Sequence, residues 1–229
     1  MSLITLRQAA VRFDLSYDAL RRIAAAGLLP EAGQHDDKPV ISTDVAQRIQ
    51  ARSAVALDHL LPTTTGTATM AVLRVDAAKP VPNEDRPFIG FHADMAPEDL
   101  LEALRGWWVG RPEKIAQAGI LPVTLGGFVV AVLTGLSGWD TKVTENGRTR
   151  HRFDARLAGY ISDLSTPINM ITVGTLDDLR IAELLLGKRL TSTAGGPIAY
   201  VDLSDDVPEP FAGRNRTIAT RRSRDPRGS

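Results

Sequence analysis

Two short apolar periodicities separated by a three-residue break constrain this chain more than any other feature. In the first, Thr5 can cap a helix over Thr5 to Phe13, with Leu6, Ala9, Ala10 and Phe13 at the i, i+3, i+4, i+7 spacing of one buried face. The break is Asp14-Leu15-Ser16. Ser16 then caps a second helix, Tyr17 to Ala26, whose Leu20, Ile23 and Ala24 face inward, and Gly27 stops it in the left-handed conformation that glycine tolerates. Two short helices around so tight a turn make a helix-turn-helix. Downstream, the polar stretch Glu31 to Lys38 and the apolar Pro39-Val40-Ile41 supply the arms of a small hairpin. Ser42 caps a third helix, Thr43 to about Ala56, with Val45, Ala46 and Ile49 inward.

The run from Leu15 to Gly33, LSYDALRRIAAAGLLPEAG, resembles the start of MerR-family and excisionase-like winged helix-turn-helix domains. There a helix beginning near Ser or Thr carries an Arg and is followed by Gly-Leu-Leu-Pro. The resemblance covers about a quarter of the chain and implies that the helix after the turn enters the major groove of double-stranded DNA while the hairpin, or wing, touches neighbouring backbone. By position it assigns the groove-facing role to Ser16, Tyr17, Asp18, Arg21 and Arg22; on the hairpin, Lys38 or His35 is placed to steady the wing. The helical spacing agrees, because Tyr17, Arg21 and Ala25 stack at i, i+4, i+8 and Asp18 and Arg22 pair at i, i+4, away from Leu20 and Ile23. The wing lacks the Arg and Tyr usual in MerR proteins, having Val40, Ile41 and Ser42, and no heptad-patterned helix follows Ala56. The match is therefore closer to the bare module of excisionases and small phage or plasmid regulators.

The organisation predicted for the whole chain is a winged helix-turn-helix at 1–56, a Leu/Pro/Thr-rich linker at 57–66, a mixed domain at 67–206 and a basic, disordered tail at 207–229. Within the mixed domain, strands are expected at Ala68 to Val75, Phe88 to Phe91, Ile168 to Val173 and Ile198 to Leu203. Helices are expected at Pro97 to Trp107 and Leu176 to Leu190. Leu121 to Leu133 reads as one buried strand bent at Gly126-Gly127, and Asn146-Gly147 reads as the type I′ turn of a hairpin. Without a regular βαβ rhythm, the fold class is α+β.

Hydrophobic residues make up 43% of the chain and charged residues 24%, ordinary for a globular protein. The absence of cysteine excludes disulfides and thiolate metal sites, and neither a secretory leader nor a membrane span is evident, so a cytoplasmic protein is expected. With 27 basic and 27 acidic residues, overall charge offers no argument for nucleic acid.

Outside the N-terminal quarter, candidate chemistry is thin. His92, Asp94, Glu98 and Asp99 could in principle hold a metal, but Asp94 reads more simply as a helix cap. Of the adjacent Trp107 and Trp108, at least one must point towards the core. Neither Gly126-Gly127 nor Gly195-Gly196 is followed by the Lys-Ser/Thr of a phosphate loop. The expectation is a DNA-binding protein with no catalytic residue, metal or cofactor, a transcriptional regulator or mobile-element accessory factor, whose second domain oligomerises, takes an effector or recruits a protein partner. The rival is an interaction protein in which the N-terminal module only docks. An enzyme acting on nucleic acid would have to rest on His92, Asp94 and Glu98.

Overall fold

The computed structural model describes residues 2–36, 38–63, 67–82, 84–166, 170–172, 174–193 and 196–203, and the chain is mixed α and β. The predicted tail and the Gly195-Gly196 pair fall wholly or partly outside the described residues.

The N-terminal segment contains β1 (Leu3–Thr5), α1 (Leu6–Arg12), α2 (Tyr17–Ala25), β2 (Gly33–His35), β3 (Lys38–Ser42) and α3 (Thr43–Gln50). Its helix starts follow from local hydrogen bonding. Thr5 and Gln8 form a reciprocal capping box on α1, Ser16 Oγ accepts from the Ala19 amide on α2, and Ser42 Oγ accepts from Val45 on α3. Gly27 ends α2 at φ +73°. β2 and β3 form an antiparallel hairpin, and β1 adds to the free side of β3. α3 is shorter than the sequence suggested, since its C-cap falls at Ala51.

The remaining elements are β4 (Thr69–Arg74), β5 (Lys79–Pro80), β6 (Phe88–Ile89), α4 (Pro97–Arg105), α5 (Pro112–Ala116), β7 (Ile120–Leu125), β8 (Phe128–Thr134), β9 (Trp139–Val143), β10 (Thr149–Phe153), β11 (Arg156–Ile161), β12 (Met170–Thr172), α6 (Leu176–Leu185) and β13 (Ile198–Asp202). Six of the strands form one sheet in the order β12-β11-β8-β7-β4-β13, antiparallel except for the β4/β7 pair. Every residue of β7 and β8 is buried, as suits the two central strands.

Three local expectations change. The single bent strand at Leu121 to Leu133 is instead the β7/β8 hairpin, because Gly126 at φ +63° and Gly127 at φ +88° reverse the chain rather than bend it. The hairpin at Asn146-Gly147 exists, but its turn is not type I′. Only Gly147 has positive φ (+75°), its amide bonds the Thr144 carbonyl, and the loop takes the wider form in which a lone left-handed glycine closes the turn. Finally, α4 stops at Arg105 rather than Trp107; at least one of Trp107 and Trp108 points inward as expected, since both are buried, but not through helical divergence.

One apolar core runs through the whole fold, from Leu6, Leu20, Ile23, Ile41 and Ile49 to Val123, Val132, Leu157 and Leu185. Main-chain bonds join the same regions: Ala93 N to Ala26 O (2.8 Å), Leu164 N to Leu28 O (2.9 Å), Val55 N to Arg189 O (2.9 Å) and Arg189 N to Ser53 O (2.8 Å). The stretch at 57–66 is thus no free linker where it is described. Asp58–Thr63 is a 3-10 helix in which Leu60 is buried, so burial of a leucine outweighs the loop-forming tendency of the Pro and Thr residues around it.

α6 packs on β8 and β11 and is pinned by Asp178, whose side chain is 3% exposed. The carboxylate accepts from Thr134 Oγ1 (2.5 Å), from the Thr175 amide (2.9 Å) and from Arg156 (3.3 Å). Burial raises its pKa, but the hydrogen bonds from Thr134, Thr175 and Arg156 outweigh that and hold it at about 2, below the ordinary 3.8. A carboxylate depressed in the folded state adds stability above its unfolded pKa and loses it as pH falls through the folded value. The chain should therefore lose about 2 kcal/mol between roughly pH 4 and pH 2 from this group, and Asp178→Asn should flatten that part of the profile in pH-dependent urea denaturation.

Candidate nucleic-acid interface

α2 has one face closed and one open. Leu20 and Ile23 enter the core, and the Ala19/Ile23 edge lies against the β7/β8 turn. A Cβ on Gly126 would stand 3.1 Å from Ile23 Cδ1 and 3.2 Å from Ala19 O, and its φ of +63° is one that side chains seldom adopt. Gly126→Val should accordingly push α2 off the sheet and cost about 1–3 kcal/mol, seen as a lowered melting temperature. Retention of the wild-type melting temperature would show that this approach has slack.

The open face carries Tyr17, Asp18, Arg21, Arg22 and Ala25. Of the residues expected to face a ligand, Ser16 is occupied as the α2 cap. The Asp18/Arg22 pair does not form. Asp18 instead lies 4.0 Å from Arg21, and Arg22 reaches Asp76 beyond β4 at 3.3 Å. Arg22 diverges because it sits at the border of the open face nearest the sheet, where a carboxylate on another segment is within reach. His35 and Lys38 are direct partners in the β2/β3 register, and His35 lies 3.7 Å from Asp36.

Tyr17 and Lys38 do come together. With Arg7 they line a cleft of about 470 Å³ between the start of α1, the start of α2 and the start of β3, floored by Leu6 and Pro39. The Arg7 guanidinium stands over the Tyr17 ring at 5.4 Å, within cation–π range. Two cations, Arg7 and Lys38, flank this cleft, and among the described residues no carboxylate lines it.

On the other side of α2, a second cleft of about 600 Å³ separates the helix from the sheet, with Arg22, Arg74 and Arg189 on its walls and Asp14 and Asp18 also lining it. The sequence reading missed Arg7, Arg74 and Arg189. Arg7 was discoverable as an outward position of α1 next to Leu6. Arg74 and Arg189 were not, since only the folded sheet brings the end of β4 and the segment after α6 beside α2.

Elsewhere, the α4 N-cap is Ala96 and makes no side-chain bond, so Asp94 is not the cap expected of it. Asp94 instead stays beside its neighbour, its amide 3.2 Å and its carboxylate 3.8 Å from His92 Nδ1. Among the described residues no group of three or more His, Cys, Asp or Glu could hold a metal, and no helix is long and apolar enough to cross a membrane.

No family model matches the chain, and neither the curated proteins nor the solved structures contain a significant match to it.

Proposed function

We propose that the chain is a sequence-specific double-stranded DNA-binding protein in which 2–56 serve as a winged helix-turn-helix of the MerR or excisionase kind. α2 reads base edges and the β2/β3 hairpin acts as the wing. In this reading the chain works by binding, without a catalytic residue or cofactor, as a cytoplasmic regulator or mobile-element accessory factor. A second copy extends a footprint that one such module makes only a few base pairs long.

The observation that carries the reading is the cleft where the Arg7 and Lys38 cations meet beside the Tyr17 ring. Two cations beside an apolar floor suit a sugar-phosphate strand, whose phosphates seek Arg and Lys while its sugars seek apolar contact. Arg21, 62% exposed and adjacent to that cleft on the helix surface, has the reach and the planar donor set to contact a guanine edge. Arg22 has a smaller part than the resemblance implies, because Asp76 competes for it.

Fluorescence anisotropy of the full chain against a pool of random duplexes, at two salt concentrations, tests this. Salt-sensitive binding with enrichment of one sequence supports the proposal. No binding at low salt overturns it in favour of protein docking.

A further inference from the structure

We infer that the cleft between α2 and the sheet holds the sugar-phosphate backbone of the second DNA strand, so that arginines outside the N-terminal segment belong to the interface; this rests on the DNA reading proposed for α2. A helix in the major groove, about 12 Å wide, lies between two phosphate backbones, so cations on one side alone would leave one strand unheld. At about 100° per residue, the open face of α2 runs from Tyr17 through Arg21 and Ala25 to Asp18 and Arg22. Tyr17, at one border, lines the cleft of Arg7 and Lys38, and Arg22, at the other, lines the cleft of Arg74 and Arg189. The two clefts therefore bracket the reading face.

The second cleft suits a strand backbone. Three arginines line it against two aspartates, and one of those, Asp18, is within 4.0 Å of Arg21. Its guanidinium groups are held in place rather than free: Arg22 by Asp76, and Arg189 through a bond from Nη2 to the Gln50 carbonyl. Arg189 Nε is buried with no hydrogen-bond partner among the described residues. Thr191, exposed, and Ser192, partly exposed, also line the cleft, and the half-buried Leu15 adds apolar surface for a sugar to cover.

The test compares wild type with two double variants, on the enriched duplex and on an unrelated one. Thr191→Glu with Ser192→Glu places two carboxylates in the cleft lining while leaving the arginines and their bonds intact. It should weaken binding about tenfold at low salt, equally on both duplexes. Arg74→Gln with Arg189→Gln should make the slope of log K against log salt shallower by about 1 to 2 while preserving the preference between duplexes. Melting temperatures show that each protein is folded, and the Glu pair keeps the test decisive if removal of Arg189 disturbs packing. Wild-type binding with unchanged affinity in the Glu pair would overturn the second-strand inference and leave the DNA reading standing. Failure of the wild type to bind any duplex would overturn both.

Discussion

A variant with Arg7, Arg21 and Lys38 all replaced by alanine is expected to bind duplex DNA about a hundredfold to a thousandfold more weakly than wild type at roughly 0.1 M salt, with an unchanged melting temperature. On the proposed reading each of the three supplies a contact worth about 1–1.5 kcal/mol to a phosphate or base edge, and they act on adjoining parts of one surface. The fold should be indifferent to the change. All three side chains are exposed, the Arg21–Asp18 contact is a solvated pair at 4.0 Å, and Arg7 stacks on Tyr17 at the surface. Such surface contacts are each worth well under about 1 kcal/mol. The single variants should separate the roles: Arg21→Ala should narrow the preference between sequences, and Lys38→Ala should weaken all sequences alike. Undiminished affinity in the triple variant would remove α2 and the wing from the interface altogether.

Arg86→Ala should produce the largest loss of stability, about 3 kcal/mol in urea denaturation. The Arg86 side chain is 3% exposed, Nε donates to Glu84 at 2.8 Å, Nη1 donates to the Ala103 carbonyl at 3.2 Å, and the guanidinium lies 5.3 Å from the Trp108 ring centre. Burial lowers its pKa below the ordinary arginine value, with Glu84 pulling the other way. Truncation removes the ring contact, leaves the Ala103 carbonyl without this donor and opens a cavity, while Glu84 keeps Arg150 at 3.7 Å. Arg86→Met, which fills much of the same space without a charge, should cost distinctly less. Equal losses in the two variants would mean that the charge, not the packing, is what matters at this position.

The sequence made the N-terminal segment legible because its signals are local. A capping residue at Thr5, Ser16 or Ser42 acts on an amide three positions away, and Gly27 answers a conformational need at its own position. The sheet was less legible. The β7/β8 turn was read as a bend because an unbroken apolar run looks the same whether it continues or folds back, and the two glycines permit either. β11 went unread, although every residue from Leu157 to Ile161 is buried in the sheet, because it is short, contains Gly159 and has no apolar/polar alternation, and its partner β8 is remote in sequence. The candidate site divides the same way. Tyr17 and Arg21 follow from the resemblance, with which the helical spacing agrees, and Lys38 from its place on the hairpin, whereas the turn of Arg22 towards Asp76 and the approach of Arg74 and Arg189 depend on long-range packing.

The main-chain bonds from Ala93 to Ala26 and from Leu164 to Leu28 fasten the end of α2 directly to the rest of the fold, with no flexible arm between them. In repressors whose reading heads hang on flexible arms, the distance between half-sites can vary, because the arm absorbs the difference. Here, on the proposed reading, two associated copies would present their helices at a separation fixed by the protein's own framework. Such a pair would tolerate substitutions between its half-sites far better than the insertion of even a single base pair.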